Sequence, residues 1–267
     1  MLDAIRAVIL GIIEGLTEFL PVSSTGHMVI AMPLLGIRAT DTPWRVLLWV
    51  SQFGAILAVI TLFFDDLRRE LLHRPRGAWR SHLLAKLAAA MVPTIVLALL
   101  FHDRLEPLED SPAAVAVALI VGAVVMEVID RTCRRSGQMT IHDVTLKQAI
   151  WIGAIQAISM IPGVSRAGAT IMGGMALGLT PRIATVFSFY LAIPTMLAAT
   201  AKTLKDDHVA LSSHDWGVVL VGTGVSYVVA LLVVAGFLEY VKRYRFTVFN
   251  VYRVLLGTAV LIWHFAR

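Results

Sequence analysis

The stretch "EFLPVSSTGH", Glu18 to His27, lies between two strongly apolar segments and sets a carboxylate, two serines, a threonine and a histidine around a proline and a glycine. In hydrocarbon such a patch costs several kcal/mol unless it lines a protected cavity, because an unpaired polar group there has no water to bond. It therefore reads as half of an active site, provided that the flanks are membrane segments.

The composition says that they are. Of 267 residues, 58% are hydrophobic and only 15% charged, against about 25% charged in soluble domains, and the mean hydropathy is +0.78. The apolar runs have the roughly 20-residue length of spanning helices, not the roughly ten-residue alternation of a membrane barrel. The expected class is an all-α integral membrane protein. The net charge of +5 sits in short connections between apolar runs, which is a topology signal and not a nucleic-acid face. Cys133 is the only cysteine, so a disulfide within the chain is excluded. The N-terminal run is interrupted by Glu14 and lacks a small-residue cleavage pattern, so it does not read as a signal peptide.

Six segments have spanning length: 44–64, 83–101, 112–130, 183–202, 217–238 and 247–265. Two more, 2–36 and 148–180, are broken midway by "LPVSSTGH" and "IPGVSRAGAT", and each reads as a re-entrant helix-loop-helix hairpin. Laid over one another without gaps, the broken segments match at Gly11/Gly153, Val22/Val164, Ser23/Ser165, Gly26/Gly168 and Gly36/Gly178, among other positions. The chain thus reads as a single membrane domain, 1–267, with a first repeat at 1–130 and a second at 148–267. Each repeat is a hairpin plus three spans, and the odd number of crossings between copies makes this an inverted-topology repeat whose broken helices meet near the bilayer midplane. Basic residues orient it: Arg68, Arg69, Arg74, Arg76, Arg80, Arg131, Arg134, Arg135, Lys147, Lys242, Arg243 and Arg245 fall on one side, expected to be cytoplasmic.

Glu14 and Glu18 lie one helical turn apart on one face. Three roles stay open for them: sharing a hard cation such as Mg2+ or Ca2+, acting as a general acid/base pair, or forming a neutralised structural pair. Ser23, Ser24, Thr25 and Gly26 open a half-helix whose free N–H groups suit an anion, with one serine expected as its N-cap. His27, one turn past the hydroxyls, points to proton transfer or phosphate binding. Arg166, flanked by Ser165 and Thr170, opens the other half-helix as a phosphate clamp. Gln156 reads as a helix-to-helix hydrogen-bonding residue, and Arg253 as a snorkelled or paired structural cation. "GVSRAG" is one residue too long for a nucleophile elbow, and no phosphate-binding loop of the nucleotide type occurs.

The segments "EGLTEFLPVSSTGH" and "PGVSRAGAT" resemble the two signature segments of the bacterial undecaprenyl-diphosphate phosphatase family, the bacitracin-resistance type of polyprenyl diphosphatase. The resemblance covers essentially the whole chain. It implies hydrolysis of undecaprenyl diphosphate to undecaprenyl phosphate and inorganic phosphate in carrier recycling for the cell wall. It also implies a divalent cation, Mg2+ or Ca2+, and functional roles for Glu14, Glu18, Ser24, Thr25, His27, Ser165, Arg166 and Thr170. Ala167 stands where the family commonly has a second serine. Expected roles are catalytic for Glu18, Ser24, His27 and Arg166, substrate-binding for Ser23, Thr25, Gly26, Ser165 and Thr170, and metal-binding for Glu14 and Glu18. The expected location is the bacterial plasma (inner) membrane, with the site opening to the external face and the lipid tail among membrane lipids. Small residues on helix surfaces leave room for a homodimer without marking its interface. A secondary transporter or flippase of an anion or polyprenyl phosphate is the competing reading, since such proteins share this construction.

Overall fold

The computed structural model describes residues 2–38, 41–72, 82–105, 108, 111–206 and 211–266; Arg74, Arg76 and Arg80 lie outside them. Among the described residues all regular structure is helical. The helices are α1 (Leu2–Thr17), α2 (Ser24–Leu34), α3 (Thr42–Leu62), α4 (Phe64–Leu72), α5 (Leu83–Leu105), α6 (Pro112–Thr132), α7 (Leu146–Gln156), α8 (Arg166–Ala176), α9 (Pro181–Asp206), α10 (Ser213–Arg243) and α11 (Thr247–Phe265). Six of these, α3, α5, α6, α9, α10 and α11, are long and apolar enough to cross a bilayer, so the chain is a multi-pass membrane protein. At about 1.5 Å per residue, the 11-residue helices α2, α7 and α8 are too short for a core about 30 Å thick.

Several span boundaries differ from the sequence expectation, two of them instructively. The first span stops at Leu62, and the stretch read as a connection folds as α4. Asp65 and Asp66 in its first turn and Arg69 in its last suit the helix dipole. The span expected at 217–238 extends to Ser213–Arg243, because a capping box starts it early: Asp215 N–H donates to Ser212 Oγ at 3.2 Å, and Ser212 N–H to Asp215 Oδ2 at 3.0 Å. Hydropathy is blind to those polar turns, whereas capping chemistry is not.

The two hairpins share their local chemistry. Ser23 starts α2 at φ 70° and accepts Gly26 N–H at 3.3 Å; Ser165 starts α8 at φ 71° and accepts Gly168 N–H at 3.1 Å. Both short helices also end alike. The N–H of Ile37 reaches Met32 O and that of Gly36 reaches Pro33 O; the N–H of Leu179 reaches Gly174 O and that of Gly178 reaches Met175 O. These are Schellman closures, with a glycine supplying the positive φ at each C′ position.

Packing crosses between the halves. Helix α1 lies on α10, α7 on α5, α3 on both α10 and α9, and α11 on α6. Small residues permit the close approaches: a Cβ on Gly15 would fall 2.7 Å from Ser226 O, and one on Gly153 would fall 2.7 Å from Ala90 Cα. Gln156 Nε2 donates to Thr94 Oγ1 and Thr195 Oγ1, both at 3.2 Å, joining α7 to α5 and α9 as a helix-to-helix bond should. Part of the basic charge is structural. Buried Asp130 accepts Arg134 Nη1 at 2.8 Å and Phe246 N–H at 2.9 Å, tying α6 to the α10–α11 turn.

Candidate active site

Glu18 lies one residue past α1, yet its N–H still bonds Glu14 O at 2.9 Å. The helical rise therefore continues far enough to stack the two carboxyl groups. Both are buried, and two neighbouring buried carboxyl groups need a proton or a cation to offset their charge. Glu14 Oε1 is buried without a partner.

Pro21 breaks the chain, and Ser23 takes the N-cap of α2, which frees the next hydroxyl. That hydroxyl, Ser24 Oγ, donates to Glu18 Oε2. From the second hairpin, Arg166 Nη2 reaches Glu18 Oε1 at 2.9 Å across 148 residues of sequence. Glu18 is thus the common partner of the first hydroxyl of α2 and the first side chain of α8. The guanidinium is also held by Ser188 O at 3.2 Å from Nη1, by Met196 Sδ at 3.3 Å from Nη2 and by the Phe19 ring, 5.5 Å from Cζ. Its Nε is buried and free of protein partners.

The remaining expected residues divide into three groups. Ser23 and Ser165 spend their hydroxyls as caps, and Gly26 donates its N–H to the first of them. Thr170 braces Arg166 from behind: its hydroxyl bonds Arg166 O at 2.9 Å and meets Ser188 Oγ at 2.5 Å. Thr25 is exposed at the mouth of α2. By helix geometry the N–H groups of Ser24 and Thr25, and of Arg166 and Ala167, have no intrahelical partner.

His27 points to α11 instead of to Glu18. Its Nδ1 meets Ser23 O at 2.7 Å, so this nitrogen carries the proton, and Nε2 meets Tyr252 Oη at 2.6 Å. In the neutral ring Nε2 then accepts the tyrosine's proton. The two rings are stacked with 7° between their planes. Tyr252 and Ser188 were not foreseen. Ser188 was visible only as a lone hydroxyl among aromatics, and Tyr252 gave no signal at all. Arg253 neither snorkels nor meets a carboxylate among the described residues; it is fully buried and bonds main-chain carbonyls.

No cluster of three acidic, histidine or cysteine side chains occurs among the described residues. A cation here would depend on the Glu14–Glu18 pair plus oxygens from elsewhere. The arrangement joins a hydroxyl bonded to a carboxylate, a guanidinium and two helix N-termini, a set suited to transfer at a multiply charged anion.

The profile of the family described as "Bacitracin resistance protein BacA" matches residues 7–259. The chain is 43% identical over 258 residues to an undecaprenyl-diphosphatase of Caldanaerobacter subterraneus, covering 96% of this chain and 94% of that protein. It is 42% identical over 263 residues to one of Nitrobacter winogradskyi, covering 97% of each. It is 38% identical over 269 residues to undecaprenyl-diphosphatase 1 of Clostridioides difficile, covering 99% and 97%.

Proposed function

We infer the activity from one premise: the chain belongs to the bacitracin resistance protein BacA family. It is a membrane hydrolase that converts undecaprenyl diphosphate to undecaprenyl phosphate and inorganic phosphate, the reaction named for its relatives. The family assignment does not favour the transporter reading.

In the proposed mechanism Ser24 Oγ attacks the terminal phosphorus. A bond forms from Oγ to phosphorus as the bond from phosphorus to the bridging oxygen breaks, and undecaprenyl phosphate leaves with the bonding pair. Glu18 takes the Ser24 proton. In the second half, water attacks the phosphoserine, Glu18 returns the proton to Oγ, and the proton shed by the water leaves with the phosphate. Arg166 and the N–H groups opening α2 and α8 hold the phosphoryl oxygens, the positioning and charge neutralisation that phosphoryl transfer requires. The observation that carries this reading is Glu18 receiving both the Ser24 hydroxyl and the Arg166 guanidinium. His27 orients α2 and remains the competing phosphate acceptor.

A divalent cation, Mg2+ or Ca2+, fits the unpartnered Oε1 of Glu14 and the all-oxygen character of the pair. Glu14 and Glu18 would hold it, and when bound it would neutralise phosphate charge. The two halves are read as an inverted repeat with re-entrant hairpins, a reading supported by their matching caps and crossed packing. The protein is placed in the bacterial inner membrane with its site open to the outer face, because basic residues gather at the opposite helix ends.

The test is phosphate release from undecaprenyl diphosphate by purified protein in detergent, where vectorial transport is impossible. Release is expected, with loss on chelation, recovery with Mg2+ or Ca2+, and abolition in Glu18→Gln and Arg166→Ala at unchanged helix content. Quenched enzyme should carry acid-stable phosphoserine; acid-labile phosphohistidine would transfer the nucleophile's role to His27. Absence of release by the intact protein would overturn the assignment of activity.

A further inference from the structure

Arg253 lies within α11 and is 0% exposed. Its guanidinium has five N–H groups, and the structure shows five main-chain carbonyls around them. Nε donates to Leu119 O at 3.1 Å. Nη1 donates to Pro21 O at 3.0 Å and Val164 O at 3.2 Å, and Nη2 to Ala118 O at 3.2 Å and Gly163 O at 3.1 Å. Met126 Sδ, 3.4 Å from Nη1, completes the surroundings.

The identity of those carbonyls carries the argument. Pro21 belongs to the turn that presents Ser24, and Gly163 and Val164 belong to the turn that presents Arg166. Ala118 and Leu119 belong to α6, on which α2, α8 and α11 all pack. One side chain is therefore bonded to both catalytic turns and to the element between them. Helix α6 is shaped to admit it: a Cβ on Gly122 would collide with the guanidinium, reaching 3.1 Å from Cζ. A structural cation near a helix end needs neither a guanidinium nor a glycine opposite. This arrangement needs both, since a lysine ammonium has three donors and would leave at least two of the five carbonyls without a partner.

We propose that Arg253, seated against Gly122, is a positioning residue that sets the spacing of the two turns so that Ser24 and Arg166 meet on Glu18. The proposal rests on the catalytic reading above. Misplacement of a reacting group by about 1 Å costs on the order of 100-fold in rate, so loosening the clamp acts on turnover before it acts on binding.

Two full-length variants test it: Arg253→Lys, which keeps the charge, and Gly122→Ala, which keeps the arginine and displaces it. Folded Arg253→Lys should lose about 100-fold in kcat with KM changed by less than about threefold, and Gly122→Ala should fall between it and wild type. A wild-type kcat per folded molecule in Arg253→Lys or in Gly122→Ala would overturn the proposal, and the second variant decides if the first does not fold. A distance readout separates the clamp from the assignment of activity. Spin labels at Leu16→Cys and Ile158→Cys, both exposed, in a Cys133→Ser background should give one narrow distance that broadens in Arg253→Lys and Gly122→Ala. An unchanged distribution refutes the clamp even if the protein releases no phosphate.

Discussion

Glu18 satisfies two groups with one carboxyl, a hydroxyl and a guanidinium. Removing one member of a buried charge pair leaves the other without compensation, at a cost of about 3–5 kcal/mol. Glu18→Ala should therefore unfold at clearly lower temperature than wild type, while Glu18→Gln, which keeps an acceptor for Arg166, should lose activity with a much smaller thermal shift. Equal melting shifts for the two variants would show that the Arg166 contact contributes little to folding. At the first turn of α2, Tyr252→Phe removes only the hydroxyl that meets His27 Nε2. A hydrogen bond has a net worth of about 1 kcal/mol, so kcat/KM should fall about fivefold if His27 acts in the reaction. An unchanged value would leave His27 with a purely architectural part. The carboxylates and the arginine were legible as ionisable residues placed where a membrane tolerates none without purpose. Tyr252 was illegible, because a tyrosine near the end of an apolar span is ordinary.

At the scale of elements, the short helices depend on their caps. Ser23 and Ser165 sit at positive φ, where a Cβ is strained, and each also supplies its helix with an N-cap bond. Alanine at either position loses the bond and keeps the strain; glycine loses the bond and relieves it. Ser165→Gly should therefore melt above Ser165→Ala by about 1 kcal/mol of stability, and Ser23 should behave alike. The reverse order would mean that the backbone at these positions is unstrained. Outside the spans, Asp143 accepts the Thr140 N–H at 2.7 Å and its hydroxyl at 3.0 Å, which holds its carboxyl below the usual aspartate range. A depressed folded value stabilises above the unfolded value of about 3.9 and ceases to do so as pH falls through the folded one. The protection of the Thr140 amide relative to its intrinsic exchange rate should accordingly be high at neutral pH and fall in acid, with the protection in Asp143→Asn independent of pH. The sequence located both hairpin breaks from Pro21, Pro162 and the serines. It could not say which of Ser23 and Ser24 would cap, because both are good caps and only the closed turn chooses between them.

At the scale of the whole molecule, six spans with crossed packing should place the 134–145 connection and the start of α10 on opposite faces. The side chains of His142 and His214 are both well exposed. In a Cys133→Ser background, an impermeant thiol reagent added to right-side-out vesicles should label His214→Cys and spare His142→Cys; the opposite pattern would invert the topology. The sequence by itself determined that the chain is helical and membrane-embedded, where its two helices break, and that Glu14, Glu18 and Arg166 are ionisable residues set among apolar segments. Each of these follows from local chemistry: apolar length, proline and capping preference, and the cost of a charge in lipid. Only the tertiary structure decided that Arg166 reaches Glu18, that His27 turns to Tyr252, and that Arg253 gathers the carbonyls of both turns. Those contacts join residues 89 to 232 positions apart, and no periodicity along a chain encodes which faces of two separated helices will meet. That is set by the joint packing of α6, α10 and α11, where glycines and buried donors must fit one another in three dimensions.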